Sequence, residues 1–472
     1  MGSLISKLSF NDIRIWIAFL FLIRLYGITN PPLENVATWR ECDVLMIARN
    51  FYETDNNIFY PRVDVAGTHT GITGSEFPGF NYAIYLTAYL FGYEHWYGRI
   101  INLLLTSFAS LFFYKMIAKR FGQDAAFNAT IIFMCSQAFV ISRMILPDPF
   151  ALSLCIISLY CALEFLDTGK LLYLIGYASL ALLGCLSKIS AGTVLSILAI
   201  PILNPLVPLG RKIFVGTMSL IILTCVYYWY FIWVPFLNES YQFGGHFFMG
   251  MDFLKGFGQL VQYLPKTLKQ FYDAPLKYIG FCAFIFTLFI TWRKKQKLAL
   301  IAFILPFASY LAIIIKTGEM LTVNYHYPFM FIPSMALITG IGLQLFFSRR
   351  IVYVILCIIA VENVASQFHH FRTKDANLPL TQLESILDEN NVPKNALIAI
   401  NAPHVHHATP MYFAHRHGWN FPSNQLENSQ LLNDLAREGC QYVLILKRVF
   451  GTDIKPPREQ IFDSEDFALY KL

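Results

Sequence analysis

The sequence predicts a polytopic α-helical membrane protein of about eleven transmembrane helices with a small C-terminal α/β soluble domain. Three observations predict it. Of 472 residues, 56% are hydrophobic and only 14% charged, where soluble domains carry about 25% charge. Apolar runs close to the ~20 residues that a bilayer demands recur up to position 366. Lys and Arg cluster in alternate connections between those runs. A mean hydropathy of +0.49 fits a chain that meets little water. The 43 Phe and 26 Tyr exclude a disordered chain. The formal charge of +6 is dispersed in short clusters, which excludes a nucleic-acid-binding face.

The first run, 13–28, has the length of a signal peptide but no small-residue cleavage site, and more runs follow it, so it reads as an anchor. Further runs lie near 97–118, 125–146, 149–166, 171–187, 190–209, 213–236, 276–292, 298–315, 327–347 and 351–366. The helices of 149–209 are short and closely spaced. With the N-terminus cytoplasmic, the inside connections hold Lys115, Lys119 and Arg120; Lys170; Arg211 and Lys212; Arg293, Lys294, Lys295 and Lys297; and Arg349 and Arg350. The positive-inside rule expects this placement. An odd number of spans then puts the tail outside, together with the long segments 29–94 and 236–275. Two domains follow: 1–366, membrane-embedded and including the first outer loop 29–96, and 367–472, a periplasmic or lumenal α/β unit.

In the tail, 380–390 has helical periodicity, 396–400 reads as a strand, 431–438 as a helix ended by Gly439, and 442–446 as a second strand. Seven of the nine cysteines lie inside apolar runs, where they act as small hydrophobes; only Cys42 and Cys440 fall in polar segments. No CxxC pair exists to suggest zinc or thioredoxin-like chemistry.

Three polar signals share the predicted outer face. The first loop holds Trp39-Arg40-Glu41-Cys42-Asp43, then Gly74-Ser75-Glu76-Phe77-Pro78 and Tyr93 to Arg99. Residues 37–52 read as an amphipathic helix suited to the membrane surface. A solvated loop with interfacial aromatics is an equally weighted reading of this segment. The second signal is Arg143 through Pro149, with Asp148 between two prolines, where a helix cap would also suffice. Ser187-Lys188 belongs with it, because Lys188 is basic on the outside, against the charge rule. An anionic ligand would explain that lysine, and so would snorkelling to lipid phosphates. The third is Asn324-Tyr325-His326-Tyr327-Pro328; an aromatic belt explains its tyrosines better than its histidine. Together these parts suit a lipid-linked substrate with an anionic head. A carboxylate can deprotonate an incoming hydroxyl, and cations can stabilise charge developing on a leaving phosphate. No P-loop or GxGxxG stands in the chain.

In this order the motifs resemble the GT-C glycosyltransferases, in particular the group of lipid A aminoarabinose transferases and protein O-mannosyltransferases. The likeness covers about 10–350 and extends weakly into the tail. It implies a GT-C-like fold and a membrane glycosyltransferase. The enzyme would move a sugar from a polyprenyl-phosphate donor to a hydroxyl of a lipid, glycan or protein acceptor, with inversion, on the non-cytoplasmic side. The implied location is a bacterial inner membrane, facing the periplasm. The implied catalytic residues are Asp43, Glu41 and Asp148, with Arg40, Glu76, Arg143, Lys188, Tyr325 and His326 on the donor phosphate and substrate. Many relatives have an Asp-Glu pair where this chain has Arg40-Glu41, with Asp43 two residues on. Both carboxylates are therefore candidates for the base, and Asp43 is favoured because the Trp-Arg-x-x-Asp form recurs in bacterial relatives. Lys188 and Arg143 would contact the phosphate. Some members use a divalent cation and others do not, so no cofactor is required by the resemblance.

Two other functions compete. A lipid or polysaccharide transporter predicts a polar path through the spans, and few charges lie mid-span. A ligase using a diphosphate-linked glycan tends to place arginines and a histidine in a large later outer loop. Here 237–275 has His246, Lys255, Lys266 and Lys269 but no arginine. In the tail, His404, His406, His407, His415 and His417 are irregularly spaced and match neither HExxH nor a zinc finger. The expectation is that the tail shapes acceptor access and that these histidines bind no metal.

Overall fold

A computed structural model describes residues 11–34, 38–241, 250–404, 407–452 and 454–472. The chain divides into two compact units. One comprises Met1–Ile28, Arg99–Trp229 and Met249–His369; the other comprises Thr29–Gly98, Tyr230–Phe248 and His370–Leu472.

The first unit is helical and carries most of the apolar runs. Each of the eleven predicted runs is helical, but their lengths differ. Among the described residues, six helices are long and apolar enough to cross a membrane, and a seventh if the bent pair Leu264–Tyr272 and Lys277–Arg293 is one span. The other runs are shorter for local reasons. The run at 125–146 breaks after Cys135, where Ser136 turns extended. The run at 190–209 starts as a 3-10 helix, Ile189–Leu198, and stops near Pro201 and Pro205. Two helices are the most enclosed: the windows in Pro147–Thr168 and Tyr327–Phe346 are each 83% buried, against 28% for Arg349–Phe371. The exposed apolar side chains of the last helix, such as Val354 and Val361, are those that lipid would cover.

The ends of these helices are set by chemistry visible in the sequence. Pro147–Thr168 starts with proline in its first turn, which costs no hydrogen bond there, and ends at Gly169 in the left-handed region. Arg211 donates to the carbonyls of Leu166 and Asp167 at 3.0 and 2.8 Å, satisfying two of that helix's last acceptors. Lys119 pairs with Glu164 and Asp167, both at 2.8 Å, so the predicted inside cluster also ties neighbouring helices.

Close helix packing depends on small residues. A Cβ on Gly340 would lie 2.5 to 2.7 Å from the backbone nitrogen, Cα and Cβ of Ala129, so Ile332–Phe346 touches Gln123–Cys135 through backbone. Gly340→Leu is expected to lower the thermal midpoint of the purified protein, as overpacking costs about 1–3 kcal/mol or more where backbone must move. An unchanged midpoint would show that the two helices can separate freely.

In the second unit, residues 397–471 form a five-stranded mixed sheet. Its strands are β1 (Leu397–Asn401), β2 (His417–Phe421), β3 (Cys440–Leu446), β4 (Glu459–Asp463) and β5 (Phe467–Lys471), in the order β2-β1-β3-β5-β4. β1 is parallel to β2 and β3, while β5 is antiparallel to β3 and β4. β1 is an interior strand and reads as an unbroken apolar run, because Ile398, Ala399 and Ile400 are all fully buried. Leu432 and Leu435 of the helix Ser429–Arg437 pack on Val443 and Ile445. Both predicted strands and both predicted helical segments are present; β2, β4 and β5 are additional.

The helix predicted from 37 to 52 runs Thr38–Glu53, with Ala37 outside the described residues. It does not lie on a surface. Every residue from Glu41 to Phe51 is buried. Its polar side chains find partners inside the protein instead of water, so an amphipathic-looking sequence serves as an internal helix. Arg49 pairs with Asp64 at 2.9 Å, and its guanidinium lies 4.7 Å from the Tyr412 ring centre. Gly67 donates to the carbonyl of Gly418 at 2.8 Å. A Cβ on Gly67 would meet Trp419 Nε1 at 2.3 Å, so the first loop touches β2 where no side chain fits.

Candidate functional site

The predicted residues are divided between the two units. In the second unit, Arg40 bridges Asp43 and Glu76. Asp43 is one helical turn after Arg40, and Glu76 is brought in by the segment before the helix Gly79–Phe91. Asp43 and Glu76 are buried at 1% and 4% exposure, so the guanidinium fixes two carboxylates that water barely reaches. Glu41 is also buried, but it stands two positions from Asp43. Two helical steps are roughly 200° of rotation, so the two carboxylates leave the helix on opposite sides and only Asp43 shares Arg40's face.

In the first unit, Asp148 lies in the first turn of Pro147–Thr168, where the helix dipole favours a carboxylate. It is 2% exposed, and Lys188 Nζ lies 3.7 Å from its Oδ2. Lys188 is the extended residue that ends Leu171–Ser187 and precedes the 3-10 segment. Arg143 is fully buried, and its guanidinium donates to the carbonyls of Arg24, Tyr26 and Gly27. It closes the C-terminal end of Ile13–Arg24, where carbonyls lack helical partners. His326 is 6% exposed and precedes the 3-10 turn Tyr327–Phe331. The Tyr325 carbonyl accepts from Gln137 Nε2. That turn packs against both Ile189–Leu198 and Pro147–Thr168, so the Tyr-His-Tyr element and the segment following Lys188 are neighbours.

Two residues that hold this region escaped the sequence reading. Asn102 donates to the carbonyls of Met144 and Leu146 at 2.7 and 2.9 Å, pinning the approach to Asp148. Arg24 is fully buried and donates to Ser142 Oγ at 2.6 Å. Each had a signal: Asn102 is an amide inside an apolar helix, and Arg24, like Lys188, is basic at the predicted outer end of a run.

Of the histidines singled out in the sequence, His406 and the loop residue His246 lie outside the described residues. Among the described residues no group of three or more His, Cys, Asp or Glu is arranged to hold a metal ion. His404 packs edge-on to Trp39 and beside His407. His415 adopts a left-handed backbone, φ 49°, after the helix Ala408–Ala414. Its Nδ1 is 2.7 Å from Glu384 Oε1 and its Nε2 2.8 Å from Glu53 Oε2. A ring with a carboxylate at each nitrogen donates from both, which requires imidazolium. A polar cavity of about 310 Å³ lies beside it, lined by residues including Arg49, Glu53, Asp64, Lys394 and His417.

This bridge has a pH signature. The hydrogen bonds to Glu384 and Glu53 raise His415 above its usual value. The hydrogen bond from His415 holds Glu384 down to about 2. Burial is the largest influence on Glu53 and pushes it up, but the bond from His415 together with the positive charges of His415 and Arg49 leaves it lowered. The histidine's contribution is fully present below its unfolded value of about 6.5 and is lost as pH rises through its higher folded value. The glutamates' contribution is present above about 4.3 and is lost as pH falls through their depressed values. Stability from the bridge therefore peaks between those limits. Thermal midpoints measured from pH 5.5 to 8.5 should fall toward the alkaline end, and His415→Gln should flatten that fall. Parallel profiles for the two proteins would contradict it.

The model of the family described as dolichyl-phosphate-mannose-protein mannosyltransferase matches residues 75–231. No curated protein matches the chain. Among solved structures, ArnT from Cupriavidus metallidurans in the apo state superposes with a TM-score of 0.63 at 11% identity, covering 97% of each chain. The same protein bound to undecaprenyl phosphate gives 0.61 at 10% identity, covering 97% of this chain and 98% of that one. The oligosaccharyltransferase of Archaeoglobus fulgidus in complex with Zn and sulfate gives 0.51 at 12% identity, covering 91% of this chain and 67% of that one. The chain is thus an integral membrane protein with the GT-C fold, resembling the aminoarabinose transferase and protein mannosyltransferase group.

Proposed function

We propose that this protein is a membrane glycosyltransferase that moves a sugar from a polyprenyl phosphate to an acceptor hydroxyl, with inversion, on the non-cytoplasmic side of the membrane. The observation that carries the reading is the Arg40-bridged pair of Asp43 and Glu76. It sits in a chain whose fold matches a protein solved with undecaprenyl phosphate. Asp43 is the base: it takes the proton of the acceptor hydroxyl as that oxygen bonds to the anomeric carbon and the bond to the donor phosphate breaks. Arg40 and Glu76 hold Asp43 in position, and Glu41 points elsewhere. Lys188 stabilises the phosphate as it leaves, and Asp148 keeps the lysine in place. Arg143, occupied with carbonyls, adds charge at longer range. Tyr325 and His326 supply donors to the substrate. The charge pattern of the connections supports a bacterial inner membrane with these groups facing the periplasm. The tail shapes acceptor access, which the polar cavity beside His415 supports.

Mass spectrometry of cell-envelope glycans tests this in cells. Disruption of the gene should remove a defined glycan modification, the intact chain should restore it, and Asp43→Asn should not. Restoration by Asp43→Asn would overturn Asp43 as the base, leaving Glu41 in that role or the transporter reading, which needs no base.

A further inference from the structure

Just before Lys277 lie two short helices that the proposed chemistry does not use, Phe253–Gln262 and Leu264–Tyr272. They leave an apolar row uncovered. Phe253, Leu254, Phe257, Val261, Leu264 and Leu268 are 46 to 80% exposed. Residues 253, 257 and 261 recur every fourth position, as do 264 and 268, so each set forms one stripe. Only a few buried residues, Gly256, Leu260 and Thr267, face the protein.

Their direction is read from the helices they adjoin. Leu264–Tyr272 meets Lys277–Arg293 at 82°. With Lys277–Arg293, the span predicted at 276–292, crossing the membrane, a helix at nearly a right angle to it lies close to the membrane plane. Phe253–Gln262 is fixed at the same level. A Cβ on Gly256 would sit 1.9 Å from the carbonyl oxygen of Ile315, and Met251 donates to the Lys316 carbonyl at 2.9 Å. Both contacts fall in the last turn of Lys297–Thr317. That helix follows Lys277–Arg293 after a three-residue turn, so its end and its neighbour's start share one membrane face.

Charge indicates what covers the row. Lys255, Lys266, Lys269 and Lys277 flank it, against Asp252 and Asp273. Asp252 is spent on capping the nitrogens of Leu254 and Lys255. Asp273 pairs with Lys277 at 2.9 Å and Lys269 at 3.6 Å. Lys255 and Lys266 remain exposed.

We infer that 253–272 is a lipid-binding platform, lying in the membrane interface with its apolar row among acyl chains and its lysines on anionic phospholipid headgroups. The combination of an exposed apolar stripe and flanking lysines is the signature of an interfacial helix. The platform also reaches the 324–327 element: Gln270 Nε2 donates to the Thr322 carbonyl at 3.3 Å, and Thr322 is in the short helix that leads into Asn324. Lipid bound there steadies the segment that presents His326.

The test uses the full chain in nanodiscs holding either phosphatidylglycerol or phosphatidylcholine with the same photoactivatable group in the acyl chain. Adducts are mapped to peptides by mass spectrometry. Peptides spanning 253–268 should be labelled in both lipids, with on the order of tenfold more adduct from phosphatidylglycerol, since each lysine near an anionic surface contributes severalfold. Lys255→Gln combined with Lys266→Gln should bring that yield down to the phosphatidylcholine level while labelling of 349–367 is unchanged. Equal yields from the two lipids, or labelling of 349–367 with none on 253–268, would overturn the inference.

Discussion

Asp43→Asn is expected to lower turnover by about two to four powers of ten while leaving donor binding intact. The carboxamide keeps the shape of the side chain and loses the proton acceptor. The fold should tolerate the change, because Arg40 retains Glu76 as an anionic partner and is not left as an unpaired buried charge. Donor affinity should persist, since Lys188, which the proposal sets on the phosphate, keeps its partner Asp148. Glu41→Gln is the control. It removes the neighbouring carboxylate from the opposite side of the helix and should cost far less turnover. Near-normal turnover in Asp43→Asn would move the base to Glu41 or elsewhere.

Lys188→Ala should weaken donor binding and rate together, by about two to three powers of ten in turnover, as for loss of one strong donor to a developing oxyanion. The substitution also strips a cation from Asp148, which is buried at 2% exposure. Breaking a buried pair costs roughly 3–5 kcal/mol, so the effect needs separating from damage. Lys188→Ala with Asp148→Asn removes the uncompensated charge. The double variant should regain stability but not donor affinity. Unchanged donor affinity in a folded Lys188→Ala protein would leave only a lysine that snorkels to lipid phosphates.

How much of this could be read in the chain depends on the range of the forces involved. Helices in lipid are written locally, in apolar runs ended by glycine and flanked by lysine and arginine, and those runs are helical where expected. What length alone misses is where a run breaks: Ser136 divides the run 125–146, and the run 190–209 stops being helical after Leu203, ahead of Pro205. Strand β1 was legible because it is buried on both faces and therefore continuously apolar. β2 was not, since its sequence is His417-Gly418-Trp419-Asn420-Phe421 and its position is decided by partners such as Gly67, far away in the chain. The helix Thr38–Glu53 shows the same limit. Its polar residues suggested a surface, but Arg49 is satisfied by Asp64 and Tyr412, a pairing that only the folded chain brings about. The candidate residues stand out in the sequence because each departs from a local rule, as an outside lysine or an acid beside prolines does. Arg40's bridge from Asp43 to Glu76 was not visible, because Glu76 is 36 residues away in the chain.

The central claim is that the donor is a polyprenyl phosphate carrying a sugar. Its most direct test is to incubate the reconstituted protein with isotopically labelled polyprenyl-phosphate sugars and, in parallel, polyprenyl-diphosphate sugars, with envelope lipid, glycan and protein acceptors. The account predicts that a monophosphate donor is consumed, that free polyprenyl phosphate and labelled acceptor appear in equal amounts, and that the new bond has the opposite anomeric configuration to the donor. Turnover of the diphosphate donor alone, or movement of the lipid across the bilayer with its sugar still attached, would contradict it.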